Sequence, residues 1–122
     1  MPYLYLSIPT AHADRRVTEY RMEMASYAAA FLKKRYGRVV LCPSLHAELI
    51  HQHAKLPDTW AEWKNEHISM LEHATELCVL KISGWNTSRR VMEEMEAAET
   101  LGIPISYIEE TDKGLTYVKE KP

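Results

Sequence analysis

The chain has 122 residues, 46% hydrophobic and 26% charged, which is typical of a water-soluble globular protein with one domain over residues 1–122. Its formal net charge of -2 offers no positive field to a nucleic-acid backbone, so a nucleic-acid polymer is not an expected partner. No apolar run approaches the roughly 20 residues that cross a bilayer. The N-terminus also lacks the pattern of a signal peptide, so we expect a cytoplasmic protein with no membrane partner.

The first part of the chain predicts a strand, a helix and a second strand. Tyr3–Ile8 is an apolar run that ends at Pro9, as short buried strands do. A long amphipathic helix follows and ends before Gly37. Val39–Cys42 is the second strand, and Pro43 ends it. The apolar face predicted for the helix consists of Val17, Tyr20, Met24, Tyr27, Ala28, Phe31 and Leu32.

The segment Ser44–Asp58 has no single convincing period, so it is predicted to be a loop with, at most, a short helical turn. It contains His46, His51 and His53, which are potential zinc ligands. No partner cysteine and no H-E-x-x-H pattern accompanies them. We therefore expect neither a metal nor another cofactor.

The second half of the chain predicts two more helices, each with a recognisable start. Thr59 followed by Glu62 forms a capping box at the start of one helix. Ser88 is placed to cap the other, which ends at Gly102. Three further strands are predicted: Leu77–Ile82 in the centre of a sheet, then Ile103–Ile108, then Leu115–Val118 at an edge.

Strands that alternate with helices indicate a parallel sheet covered on both faces. The expected fold is α/β: a three-layer Rossmann-like or flavodoxin-like fold with a four- to five-stranded, mainly parallel sheet. There is no G-x-G-x-x-G sequence and no Walker lysine loop. Ligands of such sheets bind beyond the carboxyl ends of the strands, which here are followed by Pro9–His12, Pro43–His46 and Ser83–Ser88.

Two polar side chains fall on predicted buried faces. Glu94 lies in the apolar stripe of the third helix, where a carboxylate is costly unless it serves a site or is paired with a basic residue. His67 lies on the buried face of the second helix, either as a hydrogen-bonded core residue or as part of a site. The cysteines, Cys42 and Cys78, lie in apolar segments and are expected to be buried, reduced thiols.

The start of the third helix is a candidate anion site. Ser88, Arg89 and Arg90 lie where free backbone N–H groups and the helix dipole favour negative charge. The alternative is a simple serine cap followed by two solvated arginines.

The chain resembles the nucleoside 2-deoxyribosyltransferase-like superfamily, and is most similar to its branch known as domain of unknown function 1937. The matching segments are Tyr3–Pro9 with His12, Trp60–Leu80, and Gly84–Glu94 followed by Gly102 and Pro104. The resemblance implies a Rossmann-like fold and cleavage or transfer at the N-glycosidic bond of deoxynucleosides or their 5'-monophosphates.

The resemblance also implies roles for individual residues. Glu94 matches the family's nucleophilic glutamate, and Ser88 matches a serine that binds the 5'-phosphate. Glu94 and His67 are thus the expected catalytic residues. The expected substrate-binding residues are Ser7, Pro9, Thr10, His46, Gly84, Trp85, Asn86, Ser88, Arg89 and Arg90.

Three positions depart from the family pattern. Relatives often carry tyrosine in place of Thr10, an aspartate that assists the reaction in place of His67, and glycine in place of Arg90. Two functions follow as alternatives: an N-glycosidase or 2-deoxyribosyltransferase acting on a small nucleoside or nucleotide, or a catalytically silent nucleotide-binding or regulatory module. Relatives usually complete the site with a neighbouring subunit, so a homo-oligomer is expected, with Trp60 and Trp63 supplying apolar contact area.

Overall fold

A computed structural model describes residues 2–54 and 59–119 of the chain. Strands and helices alternate along it as far as the fourth strand, after which a hairpin turn leads to a fifth. The elements are β1 (Leu4–Ser7), α1 (Arg15–Tyr36), β2 (Val40–Leu41), α2 (Pro43–Ala54), α3 (Trp60–Glu72), β3 (Glu76–Lys81), a short 3-10 turn (Trp85–Thr87), α4 (Arg89–Leu101), β4 (Ile105–Thr111) and β5 (Gly114–Lys119).

The five strands form one sheet in the order β2-β1-β3-β4-β5. The first four are parallel, with Tyr5 beside Leu77 and Ser7 beside Val79 across the central β1–β3 pair. β5 runs antiparallel to β4 at the edge. The predicted α/β, three-layer Rossmann-like fold with a mainly parallel sheet is therefore confirmed.

Alternation along β1 decides which side chains meet which helices. Leu4, Leu6 and Ile8 point into the core that α1 covers. Tyr5 points to the opposite face, which α3 and α4 cover, and Ser7 follows it because side chains two apart share a face. β1 thus places two polar side chains, those of Tyr5 and Ser7, on the face of the sheet that α4 covers, although the rest of the strand is apolar.

The buried face of α1 differs from the predicted one. Tyr20 and Tyr27 are 51% and 60% exposed. Ala28 and Leu32 are fully buried, as predicted, but the buried set also includes two polar residues and a second alanine, because a helix that packs closely on a sheet favours small side chains in the contact over the bulkiest apolar ones. The buried residues of α1 are Thr18, Arg21, Ala25, Ala28 and Leu32.

The prediction of a loop at Ser44–Asp58 was wrong for most of its length, because Pro43–Ala54 is helix α2. Residues 55–58 of that segment lie outside the described residues. The helix packs against β1 and α3 and buries Ser44, Ala47 and Glu48. Two of these three residues are polar, so a search for an apolar stripe does not find the helix.

The remaining boundaries agree with the predicted elements to within a few residues. β4 is shifted toward its C-terminus, to Ile105–Thr111. Thr59 precedes α3 as predicted, but its side chain makes no capping hydrogen bond, so the reciprocal capping box does not form. In the part of the chain that the structure describes, no helix is long and apolar enough to cross a membrane.

Candidate functional site

A cavity of about 320 Å³ lies beyond the carboxyl ends of β1 and β3. From this parallel pair the chain leads outward on both sides: β1 is followed by β2 on one side of the pair, and β3 is followed by β4 on the other. Ligands of open α/β sheets bind at such a switch point. Its walls come from the loops after both strands, from α1 and α3, and from the start of α4: Thr10, Ala11, His12, Arg21, Trp60, Gly84, Thr87, Ser88, Arg89 and Arg90.

Glu94 of α4 is fully buried, as its place in the apolar stripe predicted. Its carboxylate accepts a hydrogen bond from Ser7 Oγ at 2.6 Å through Oε1. The hydroxyl of Tyr5 donates a short hydrogen bond to Oε2. Both oxygens are therefore held by neutral donors from β1, and the carboxylate is fixed in position without an arginine or lysine partner among the described residues.

Tyr5 is well suited to remain a donor to this carboxylate. Burial, followed by the charge of Glu94 and the hydrogen bond to it, raises the pKa of Tyr5 well above its ordinary value. The phenol therefore keeps its proton at any physiological pH. It holds a carboxylate in an apolar layer, where an unbonded charge would be very costly.

His67 approaches the same carboxylate from α3. Its Nδ1 lies 3.8 Å from Glu94 Oε2, and the imidazole is almost completely buried. The ring packs against Trp60 and Trp63, with centroids 5.8 and 6.1 Å away. Among the described residues, no group hydrogen-bonds to Nδ1. Nδ1 is thus a buried polar atom without a hydrogen-bond partner among the described residues, and His67, like Glu94, lines neither the inner cavity nor the outer one described below.

Arg90 lies one helical turn before Glu94 on the inward side of α4 and is buried. Its Nη1 donates to Ser44 Oγ of α2 at 2.8 Å, and the guanidinium carbon lies 5.4 Å from the Trp60 ring centroid. It is therefore a wall of the cavity rather than a solvated side chain. Arg90 lines the cavity and Glu94 does not, so the carboxylate is one turn behind the accessible surface.

Ser88 and Arg89 complete the start of α4. Ser88 Oγ accepts from the backbone N–H of Val91 at 3.2 Å, so the predicted cap is confirmed. Arg89 is exposed, and its Nε donates to Glu93 at 2.7 Å. Hydrogen bonds from Lys64 and Arg89 lower the pKa of Glu93 to about 2. Arg89 therefore contributes less free positive charge to the cavity than Arg90 does.

Arg21 fastens the two loops of the cavity to each other. Its guanidinium donates to the carbonyl of Ala11 after β1 and to that of Ser83 after β3, each at 3.1 Å. Gly84 makes this approach possible, because a Cβ there would lie 2.3 Å from Arg21 Nη2. Gly84 also has φ of 94°, a conformation that side chains disfavour.

A second, outer cavity of about 560 Å³ adjoins the first and shares Ala11 and His12 with it. Its other walls are Ala13, Arg15 and Thr18 on the α1 side and Glu48 of α2. Glu48 is buried, and its Oε1 accepts from Arg15 Nη1 at 2.6 Å. Both cavities therefore border the loop after β1, and the two together are called the groove below.

The structure brings some of the predicted binding residues together at the cavity and leaves others apart. Thr10, Gly84, Ser88, Arg89 and Arg90 line the inner cavity. Ser7 contacts Glu94 instead of the cavity, and Pro9 is buried at the end of β1. The remaining three do not line either cavity: Trp85 packs on Tyr107, while Asn86 and His46 are exposed.

Sequence reasoning missed Tyr5, Arg21, Ser44 and Glu48. Tyr5 could have been found, since period-two alternation places it on the same face of β1 as Ser7. Arg21 could also have been found as a charged residue inside a stripe of small side chains. Ser44 and Glu48 gave no usable signal, because they lie in a helix that was not predicted.

The two cysteines are free thiols, and burial raises the pKa of each to about 12. Both remain protonated and are poor nucleophiles, as expected for structural thiols. Within residues 2–54 and 59–119, no three histidine, cysteine, aspartate or glutamate side chains are grouped so as to hold a metal ion.

The fold is that of a Rossmann-like α/β protein, with a candidate ligand site at the carboxyl edge of the sheet. The chain belongs to the family described as domain of unknown function 1937 (DUF1937), which matches residues 2–110. The matched range includes all the residues that line the two cavities. A search of the curated proteins finds no match.

Proposed function

We propose that this protein is an N-glycosidase or 2-deoxyribosyltransferase that acts on deoxynucleosides or deoxynucleoside 5'-monophosphates. The observation that carries the proposal is the Glu94 carboxylate, which Tyr5 and Ser7 hold in place one helical turn behind a cationic cavity. The resemblance to the nucleoside 2-deoxyribosyltransferase-like superfamily, in which Glu94 matches the nucleophile, supports it independently.

The chemistry proposed is that of retaining glycosyl transfer. A Glu94 oxygen attacks C1' of the sugar while the bond from C1' to the base nitrogen breaks, which gives a glycosyl ester and a free base. His67 Nδ1, which lacks a partner beside Glu94, is the proposed proton donor to the leaving base. Water or a second base then attacks C1', the bond from C1' to the Glu94 oxygen breaks and restores the carboxylate, and the proton that the attacking group loses returns to His67.

The inner cavity suits the phosphate of a monophosphate. Arg90 and Arg21 bring two buried guanidinium groups to its wall, and Ser88 lies at the positive end of the α4 dipole. Attack by Glu94 on a bound substrate requires a movement at this wall, because Arg90, which is bonded to Ser44, lines the cavity and Glu94 does not. A phosphate that draws the guanidinium away from Ser44 would provide that movement.

The alternative is a catalytically silent nucleotide-binding or regulatory module. The observation in its favour is that Glu94 is fully buried and does not line the cavity. A protein of this kind would bind nucleotides at the cationic wall without reaching their N-glycosidic bond.

Incubation with a panel of deoxynucleosides and 5'-monophosphates, followed by chromatography of the free base, tests the two functions. We expect base release that falls about a thousandfold or more in Glu94→Gln, since the nucleophile is lost. Glu96→Gln, an exposed residue of the same helix, is the matched control and should keep full activity. Nucleotide binding without base release would favour the silent module.

A further inference from the structure

The inner face of α2 is polar where an ordinary core helix would be apolar. Ser44 and Glu48, one turn apart, are each only 2% exposed, with Ala47 between them. Burial of such groups is unfavourable unless each finds a partner. Ser44 is bonded to Arg90 of the inner cavity, and Glu48 to Arg15 of the outer one. This face of α2 therefore contributes Glu48 to the lining of the outer cavity and holds Arg90, a wall of the inner cavity, through Ser44.

The outer half of the groove has the size and chemistry of a small-molecule subsite. Its volume of about 560 Å³ is within the usual range for ligand pockets. It offers a buried carboxylate oxygen pair at Glu48, of which Arg15 occupies Oε1. Among the described residues, no second donor is bonded to this carboxylate. The remaining oxygen is an acceptor for an N–H group of a ligand.

We propose that the outer cavity binds the nucleobase and that Glu48 accepts a hydrogen bond from its exocyclic amino group. This inference rests on the proposed function, since it assigns the base half of the same substrate. A nucleotide with its phosphate at Ser88 and Arg90 extends across Ala11 and His12, which both cavities share, and reaches Glu48 with its base.

The proposal predicts which bases are favoured. A carboxylate only accepts hydrogen bonds, so it pairs with the amino groups of adenine, cytosine and guanine. Hypoxanthine and uracil present a carbonyl oxygen at the corresponding position, and two acceptors repel each other at that distance. Because the buried carboxylate then has no hydrogen bond to the base, the affinity for hypoxanthine or uracil nucleotides should be much lower.

The test measures binding to the full-length Glu94→Gln protein, which does not consume the ligand. Isothermal titration calorimetry compares dAMP with dIMP and dCMP with dUMP, pairs that differ at the amino position. We expect each amino nucleotide to bind about tenfold or more tightly than its partner. Adding Glu48→Gln to this protein should reduce the difference in affinity within each pair to below about threefold, because an amide can also donate a hydrogen bond to a carbonyl oxygen of the base.

Two further variants keep the result interpretable if Glu48→Gln weakens folding. Glu48→Asp keeps an acceptor-only carboxylate and should retain a preference for the amino nucleotides. Glu19→Gln is the matched control, because Glu19 also pairs with Arg15, at 3.7 Å, but is exposed on α1 outside the cavity. It should leave the preference unchanged.

Equal binding within both nucleotide pairs, or a preference that survives Glu48→Gln, would overturn the inference. Either result is compatible with base release that depends on Glu94, so the proposed function would stand. Conversely, a preference that depends on Glu48 in a protein that releases no base would uphold this inference and reject catalysis. Failure of every nucleotide to bind would reject both.

Discussion

Two buried carboxylates with different partners decide how single residues of this protein respond to substitution. Glu94 is held by the hydroxyls of Tyr5 and Ser7. Glu76 of β3 is also buried, but its Oε1 accepts from Arg38 Nη1 at 2.8 Å, and its Oε2 accepts from the hydroxyls of Ser106 and Tyr117. Glu94 thus accepts only from neutral hydroxyls, whereas Glu76 also accepts from an arginine.

Glu94→Gln should leave the melting temperature unchanged or raise it by up to about 5 °C. The amide keeps the shape of the side chain, and the hydroxyl that meets its NH2 group accepts a hydrogen bond instead of donating one, while a buried charge without an arginine or lysine partner among the described residues is removed. Calorimetry on the purified variant measures this, with Glu96→Gln as the surface control. A clear fall in melting temperature, with base release intact, would make Glu94 a structural residue.

Glu76→Gln should instead destabilise the protein by about 1–2 kcal/mol at pH 7, because it leaves Arg38 without its charged partner. Burial raises the pKa of Glu76, but hydrogen bonds from Ser106, Tyr117 and Arg38 outweigh burial and lower it overall. The folded-state pKa is thus below the unfolded value, so the contribution is present above that value and is lost as pH falls below it.

Urea unfolding of the wild type and Glu76→Gln at pH 7, 5 and 3.5 measures this dependence. The difference in unfolding free energy should be constant between pH 7 and 5 and should shrink below about pH 4.5, where the unfolded carboxyl binds a proton. A difference that stays the same at pH 3.5 would contradict the assigned pKa direction.

Among the elements, α4 connects the two halves of the proposed site, since its first turn forms the cavity wall and its second carries Glu94. We expect deoxynucleoside monophosphates to bind about tenfold or more tightly than the matching nucleosides, because the phosphate meets Arg90 and the helix dipole. Raising the salt concentration from 50 to 300 mM should reduce this difference in affinity, because salt screens the attraction between the phosphate and the positive charges.

Calorimetric titration with dCMP and deoxycytidine measures the effect of the phosphate. Arg90→Gln should remove most of the preference for the monophosphate, whereas Arg35→Gln, an exposed residue at the far end of α1, should not change it. Equal affinities for nucleotide and nucleoside in the wild type would leave Ser88 as a helix cap alone.

The elements also show why part of the fold was predictable and part was not. The strands and the helix that carries Glu94 have apolar runs or stripes bounded by proline, glycine or a capping serine, and these local signals are reliable. α2 has no such stripe, because the groove takes the place of a core on its inner face. The site residues that it contributes, Ser44 and Glu48, were missed for the same physical reason.

At the scale of the whole molecule, three of the exposed large apolar side chains belong to α1, namely Tyr20, Tyr27 and Tyr36. Tyr27 is 60% exposed on α1 and borders a groove of about 420 Å³ with Met24, Phe31 and Leu115 of β5. Trp60 and Trp63, which the sequence suggested as contact area for another subunit, are each only 7% exposed and belong to the interior of the protomer. We therefore expect a second copy to contact the surface of α1 and β5 instead.

We expect a homo-oligomer, at least a dimer, that buries this surface, because apolar side chains at the centre of an interface supply most of its free energy. Light scattering at micromolar concentration measures the mass. Tyr27→Asp should shift the protein toward the monomer, whereas Asn65→Asp, on the exposed side of α3, should not. A wild-type mass of 14.1 kDa would contradict the expectation.

The contacts of Arg21 have a consequence for how tightly the groove can hold a ligand. Loops normally lose conformational freedom when they close on a ligand, and that loss weakens binding. Here one guanidinium already bonds the loop after β1 to the loop after β3. These two loops are therefore already held together in the free protein, so a ligand does not lose interaction energy to ordering them.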